Sequence, residues 1–345
     1  MRYGLALAGG GVRGAFHIGV WRALRKMGVE ICAAVGTSVG AINSALIALD
    51  EYDTAVKIWR NISADDIVAL PECMKGERDI FAFKNLAAVI REIYKNGGLD
   101  MSPLEHLLSG VVDEDRLRKS NIDFGLALLS LSDKKGVYRF TDEIPRGELI
   151  DYIVASASIF GSKRVRSKML SDAGLYDNMP VNMLLQRGIK DIIAVDAGGI
   201  GINRTPAEAD TNIINVRATR PTTGIMDFDR GGIMRAMDEG YVACMRAFGY
   251  AAGGTYSFTA DDYISARGRY SSDIISGIEK AAEMLEINPF EIYTFDGLKQ
   301  MVLDGYRAES LRAKSPLVKA VRSVKNGGAR GDTRKAAAAI SYFSQ

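Results

Sequence analysis

The chain has 345 residues, 47% of them hydrophobic and 25% charged, with a net charge of +2. These proportions are ordinary for a globular protein, and the length suits one large domain with additions or two domains. The near-neutral balance gives no basic footprint for nucleic acid, no uninterrupted apolar run reaches membrane-spanning length, and Cys32, Cys73 and Cys244 are too widely spaced for a metal motif and odd in number, as expected of buried thiols in a reducing compartment.

Residues 3–8 form an apolar stretch that reads as a buried strand and runs straight into Gly9-Gly10-Gly11-Val12-Arg13-Gly14. The stretch is short and glycine-broken, and cleavage after it would remove the strand that carries the glycine run, so a signal peptide is not expected. The run opens a helix over 15–27 and has several readings. Gly9-x-Gly11-x-x-Gly14 matches a dinucleotide fingerprint, but that reading needs an acid near the end of the second strand. Glu30 precedes that strand instead. A phosphate loop needs Gly-Lys-Ser/Thr, which is absent. A plain tight turn between strand and helix is the bland reading. The remaining one is a row of free N–H groups, from Gly10 and Gly11, that holds a developing oxyanion, with Arg13 steadying the loop or adding positive potential.

Residues 31–35 read as a second strand, followed by Gly36-Thr37-Ser38-Val39-Gly40 and a helix over 41–49. G-x-S-x-G between a strand and a helix is the nucleophile-elbow pattern. The glycines two residues either side keep side chains from colliding in the turn, and the helix start favours negative charge. Ser38 is therefore the candidate nucleophile; a merely structural turn is the alternative.

Residues 51–110 look mostly helical, with breaks at Pro71 and Gly97-Gly98. Strands are expected over 123–131 and 136–140 with a turn between them, and a helix over 146–156. Lys163, Arg164, Arg166 and Lys168 precede Asp172 and read either as a contact for phosphate head groups or as a solvated loop or edge strand. Strands at 191–195 and 212–216 complete a βα alternation that argues for an α/β fold, a mostly parallel sheet covered by helices on both faces. Past residue 220 helical periodicity takes over, at 231–248 and 272–285. The expected division is a catalytic α/β domain over 1–219 and a mainly helical C-terminal extension over 220–345. Residues 312–335 carry eight Lys/Arg and one acid, Asp332. They read as a solvated tail or as an attraction to an anionic leaflet. Residues 336–343 read as a short helix docked on the domain.

Histidine decides the mechanism. The chain has two, His17 and His106, and neither lies far enough along to be the third member of a Ser…Asp/Glu…His order. Both read as helix residues, so the base for Ser38 is expected to be a carboxylate. Two Asp-Ala-Gly segments offer one, at Asp172 and at Asp196. Asp196 ends a strand, where open α/β sheets place ligands. Asp177 reads as a solvated turn residue or a helix cap.

Taken together these residues resemble the patatin-like phospholipases. Gly9, Gly10, Gly11, Val12, Arg13 and Gly14 are similar to that family's G-G-G-x-R/K-G oxyanion loop. Gly36, Thr37, Ser38, Val39 and Gly40 resemble its nucleophile elbow, and Asp172-Ala173-Gly174, followed by Asn178-x-Pro180, resembles its aspartate motif. The resemblance covers roughly residues 3–200 and favours Asp172 over Asp196. It implies a Ser38–Asp172 dyad that hydrolyses lipid esters, of phospholipids or lysophospholipids, with no cofactor or metal. A broad esterase or neutral-lipid lipase, and a catalytically weak lipid-binding protein, are the alternatives. The pattern departs from the family at Ala173, where glycine is usual, and at Gly161-Ser162-Lys163, where a proline-rich continuation is usual. A cytoplasmic protein, with the tail as its peripheral membrane contact, is the accompanying expectation.

Overall fold

The structure, a computed structural model, describes residues 2–70, 72–80, 98–158, 161–220, 222–310, 317–319, 321 and 331–344. They form two compact units, residues 1–244 and 245–345. This division falls past the expected 219/220 boundary, inside a helix, Arg230–Ala247. The reason is packing: a Cβ at Gly19 would lie 1.7 Å from the Met237 carbonyl oxygen, and one at Gly240 2.0 Å from that of Phe16. That helix therefore packs backbone to backbone on the first one and belongs to the first unit.

In the first unit β1 (Arg2–Leu7) leads through the glycine loop to α1 (Ala15–Met27), then β2 (Glu30–Thr37), α2 (Val39–Ala48) and α3 (Tyr52–Asn61). Helix α1 stops at Gly28, whose φ of 68° allows its N–H and that of Val29 to close on the carbonyls of Arg25 and Leu24. Next come α4 (Ser102–Ser109), α5 (Glu114–Arg118), β3 (Asp123–Ser130), β4 (Lys135–Phe140) and α6 (Leu149–Ser156). A short hairpin, β5 (Lys163–Val165) and β6 (Lys168–Asp172), precedes α7 (Val181–Gln186), β7 (Asp191–Asp196), β8 (Asn212–Arg217) and α8 (Arg230–Ala247).

Strands β3, β2, β1, β7 and β8 are neighbours in that order and run parallel, while β4 and β6 lie antiparallel to β3, and β5 antiparallel to β6. The sequences of the central strands are nearly continuous apolar runs because both faces are covered. On one face Phe124, Leu126 and Leu128 pack with α2, α4 and α6; on the other Ala33, Val35, Ala127 and Ile192 pack with Val181, Leu184 and Leu185 of α7. This is the α/β, mostly parallel sheet covered on both faces that the alternation predicts.

One detail of register positions the site. Along β3, β4 pairs from Gly125 to Ser130, so β2 and β6 must share the opposite edge. Thr37 pairs with Ala127, and Asp172 takes over at Leu128. The ends of β2 and β6 therefore meet head to head on adjacent residues of β3.

The second unit is mostly helical: α9 (Ala260–Arg269), α10 (Ser272–Met284), α11 (Phe295–Ser310) and α12 (Gly331–Phe343). It also holds three strands of two or three residues, β9 (Ala251–Ala252), β10 (Ser257–Thr259) and β11 (Ile292–Tyr293), too short to leave a period in the sequence. Its core gathers Tyr256, Phe258 and Phe295 with the apolar faces of the helices. The expected C-terminal helix is α12, which buries Ala336, Ala337, Ala339 and Ile340 against α10. The two helices approach so closely that a Cβ at Gly277 would lie 2.4 Å from the Lys335 carbonyl oxygen. Most of the basic stretch 312–335, like residues 81–97 of the expected helical region, lies outside the described residues.

Candidate active site

Strand β2 ends at Thr37 and α2 begins at Val39, leaving Ser38 alone in the turn with φ 58° and ψ −129°. A non-glycine residue held there carries strain of about 1–3 kcal/mol, which the surrounding structure must over-determine. Glycine makes the turn this sharp: a Cβ at Gly36 would lie 2.1 Å from the Gly40 carbonyl carbon, and one at Gly40 2.2 Å from the Leu7 carbonyl oxygen. The elbow is also tied from outside. The Ser38 N–H donates to Ser156 Oγ at 3.0 Å, the Ser156 hydroxyl donates to the Ala127 carbonyl at 2.8 Å, and Thr37 Oγ1 donates to the Asp177 carbonyl at 2.8 Å. Ser156 lies on α6, 118 residues from its partner Ser38.

At the head-to-head junction on β3, the Asp172 carboxylate accepts a hydrogen bond from the Gly174 N–H at 2.6 Å and faces the same cavity as Ser38. What surface Asp172 retains faces a cavity. Burial pushes its carboxyl above the usual aspartate range, while the nearby Ser38 hydroxyl and the Gly174 N–H pull it back down. Ala173, the departure from the family pattern, is fully buried and is not among the residues of positive φ. The close contact falls instead at Gly174, where a Cβ would lie 3.0 Å from Asp172 Oδ1. Alanine at 173 is therefore unstrained.

The glycine loop closes the third side. A Cβ at Gly9 would lie 3.2 Å from Ser38 Cβ. Gly9 donates its N–H to the Asn178 carbonyl at 3.0 Å, Val12 to the Ile225 carbonyl at 2.7 Å, and Arg13 to the Gly10 carbonyl at 3.3 Å. Among the described residues the N–H groups of Gly10 and Gly11 have no acceptor. Gly11 has φ 57°, and a Cβ there would lie 2.1 Å from the Ile225 carbonyl oxygen. The Arg13 guanidinium donates to the carbonyls of Thr223, at 3.0 Å, and Gly198, so it steadies the loop. Gly14 in turn lets α1 start against Val39, 2.5 Å from where its Cβ would be.

The competing residues fall elsewhere. Asp196 ends β7, accepts the Gly198 N–H at 2.9 Å, and does not line the cavity. Asp177 is fully buried rather than solvated, because its Oδ2 accepts from the Tyr138 hydroxyl at 2.8 Å across the sheet. Among the four basic residues before Asp172, Lys163 pairs with Glu105 and Asp151, Arg166 with Glu148 and Lys168 with Asp133. They lie on the β5–β6 edge hairpin. His106 is exposed on α4. His17 is buried on α1, where Nδ1 lies 3.2 Å from Asn43 Nδ2 and burial pulls the imidazole down to about 3.

His17 makes a stability prediction. A buried neutral histidine stabilises the fold above the unfolded value of 6.5, and that stability is lost as pH falls toward about 3. Its share of the loss is expected to approach about 1.4 kcal/mol per pH unit below 6. Denaturant titrations of His17→Gln between pH 7 and pH 4 should show a correspondingly shallower decline; equal slopes would refute it.

Ser38, Asp172 and the loop open into a cavity of about 600 Å³. Its walls are almost wholly apolar, with Ile42, Trp59, Leu104, Leu108 and Phe228 among them. Trp59 is fixed by its indole N–H, which donates to Asn43 Oδ1 at 3.0 Å. These wall residues come from α2, α3, α4 and the loop before α8, and nothing in their local sequence marks them as lining one space.

The patatin-like phospholipase family model matches residues 5–185. A lysophospholipase NTE1 from Kluyveromyces lactis is 29% identical over 210 residues, 59% of this chain but 13% of that protein. Patatin-like phospholipase domain-containing protein 7 from Rattus norvegicus is 25% identical over 199 residues, 56% of this chain and 13% of that one. This chain thus spans about an eighth of the length of these relatives. The crystal structure of VipD from Legionella pneumophila aligns over 99% of this chain and 80% of its own at 12% identity, with a TM-score of 0.47. Among the described residues no helix is long and apolar enough to cross a membrane. Since the family model covers more than half of the chain and spans both Ser38 and Asp172, this chain belongs to the patatin-like phospholipase family.

Proposed function

We propose that this protein is a serine acyl hydrolase that cleaves the carboxylic ester of single-chain lipids, lysophospholipids first among them, through Ser38 and Asp172. The observation that carries this reading is the meeting of the Ser38 turn and Asp172 at the head of an almost wholly apolar cavity, set by the register of β2 and β6 on β3. At about 30 Å³ for a group the size of water, 600 Å³ has room for roughly 20 such groups. That is enough for one long hydrocarbon chain. The lysophospholipases among the relatives agree with it.

In this mechanism the acyl chain lies along the apolar walls with the ester carbonyl at Ser38. Asp172 takes the hydroxyl proton as Oγ bonds to the carbonyl carbon. The oxyanion formed accepts from the N–H groups of Gly10 and Gly11, which have no acceptor among the described residues. The tetrahedral intermediate then expels the glycerol oxygen, which takes the proton from Asp172. Water, losing its proton to the same carboxylate, attacks the acyl-enzyme, and the fatty acid leaves as Ser38 is reprotonated. An aspartate is a weak base in water; enclosure in the cavity wall raises its basicity.

The test compares fatty-acid release from lysophosphatidylcholine and from a diacyl phosphatidylcholine with the same acyl chain, both in mixed micelles. Turnover of the lysolipid is expected to exceed that of the diacyl lipid at least ~10-fold. A preference for the diacyl lipid would overturn the single-chain reading, and absence of turnover on either would overturn the hydrolase.

A further inference from the structure

Leu175, Ile200 and Ile202 are 75%, 75% and 56% exposed. Scattered apolar side chains on a surface need no explanation, but these three are not scattered. They lie on two loops laced together, with the Ile202 N–H donating to the Gly174 carbonyl at 3.0 Å and the Asn178 N–H to the Ile202 carbonyl at 2.7 Å. The lacing is tight. A Cβ at Gly199 would lie 2.1 Å from the Gly9 carbonyl oxygen, and one at Gly201 2.5 Å from Asn178 Cβ. The same loops carry the groups that fix the site, since the Gly174 N–H holds Asp172. Leu175 and Ile200 moreover line the cavity itself. The apolar wall that begins beside Ser38 thus continues outward to solvent on this side. Next to it Arg204 is exposed, its guanidinium 3.9 Å from the Tyr176 ring centroid and its Nε donating to the Tyr176 carbonyl at 2.9 Å.

We propose that Leu175, Ile200 and Ile202 form a lipid-facing rim that seats the cavity mouth on the surface of a lipid aggregate, with Arg204 beside it for the phosphate head groups. A lipid surface is favoured over a second copy of the chain by the continuity of rim and cavity. An acyl chain that slides from an aggregate across this rim to Ser38 stays on apolar surface throughout, and the seated rim keeps water from the mouth. A cation held against an aromatic ring beside an apolar patch suits the boundary between acyl chains and head groups. Passage of an acyl chain to Ser38 rests on the acyl-hydrolase reading; binding of the rim to a lipid surface does not.

The experiment uses the full chain carrying Ser38→Ala, so that no lipid is consumed, and measures co-sedimentation with vesicles of phosphatidylcholine and phosphatidylglycerol. The variant Leu175→Ser/Ile200→Ser/Ile202→Ser in that background is expected to bind at least ~10-fold more weakly, as loss of three apolar anchors requires. Its thermal unfolding should be unchanged, since all three side chains are exposed. In the otherwise unmutated chain, Ile202→Ser alone should leave hydrolysis of a soluble short-chain ester unchanged and slow hydrolysis of vesicle lipid several-fold. Undiminished vesicle binding by the triple variant would overturn the rim. So would a shift of that variant from dimer to monomer with vesicle binding intact, which would assign the patch to a second copy. The two readings fail separately: vesicle binding without hydrolysis of any lipid ester keeps the rim and sinks the hydrolase, and micellar hydrolysis without vesicle binding does the reverse.

Discussion

Ser38→Ala is expected to lower ester hydrolysis by at least ~10⁴-fold, the scale on which removal of a serine nucleophile acts in other hydrolases. It should also abolish labelling by a fluorophosphonate, whose adduct in the unmutated chain should map to Ser38. A companion substitution separates chemistry from strain. Ser38 is held at φ 58°, a conformation glycine adopts freely and alanine does not. Ser38→Gly and Ser38→Ala should be equally inactive, yet the glycine variant is expected to be more stable than the alanine variant by about 1 kcal/mol or more in denaturant melts. Labelling at a different serine, or turnover surviving in either variant, would remove Ser38 from the reaction. Equal stability of the two variants would show that the turn is not strained.

The elbow and the glycine loop were legible because each is local. Gly36, Ser38 and Gly40 lie within five residues, and the contacts that require those glycines are with the adjoining turn of α2 and with β1. The strands before each motif announce themselves as apolar runs, and the absence of a downstream histidine is a fact of composition. Asp172 was legible only through its motif. Its meeting with Ser38 depends on β6 inheriting the edge of β3 where β2 stops, a register between segments more than a hundred residues apart. The β5–β6 hairpin itself is short and charge-rich, so it read equally as a loop. Asp177 misled because a carboxylate beside Tyr176 in a turn looks solvated; the Tyr138 hydroxyl that pairs with it comes from β4. The compact units divide later than the expected boundary for a similar reason. Helical periodicity marks where α8 is, but only its backbone contacts with α1 show which core it joins.

The largest functional effect besides that of Ser38 is expected at its partner. Asp172→Asn removes the carboxylate that meets the Ser38 turn and takes the hydroxyl proton in the proposed mechanism, and an amide in its place cannot. Turnover should fall at least ~10⁴-fold, as it does where an aspartate only orients the base. The cost to the fold runs the other way. Burial raises the Asp172 carboxyl above its ordinary value. The contribution of such a group to stability is therefore fully present below the unfolded value, where the carboxyl is neutral in both states, and is lost as pH rises through the folded value. At neutral pH the native protein holds a carboxylate it would hold more easily as a neutral group. Asparagine is neutral, can accept the Gly174 N–H, and fits the same space. The variant should consequently melt higher than the unmutated protein at pH 7, with the difference closing as the pH is lowered toward 4. In the unmutated protein kcat/KM should decline on the acid side through an apparent pKa above that of a free aspartate, as the base becomes protonated. Asp196→Asn tests the competing segment: its carboxylate caps the turn at Gly198 outside the cavity, so the variant should keep most of its turnover. If Asp196→Asn were inactive while Asp172→Asn turned over, the base would belong to the second segment. If Asp172→Asn were inactive but melted lower at pH 7, the carboxylate would be a structural anchor of the elbow, and its loss of activity would report a displaced Ser38 rather than a missing base.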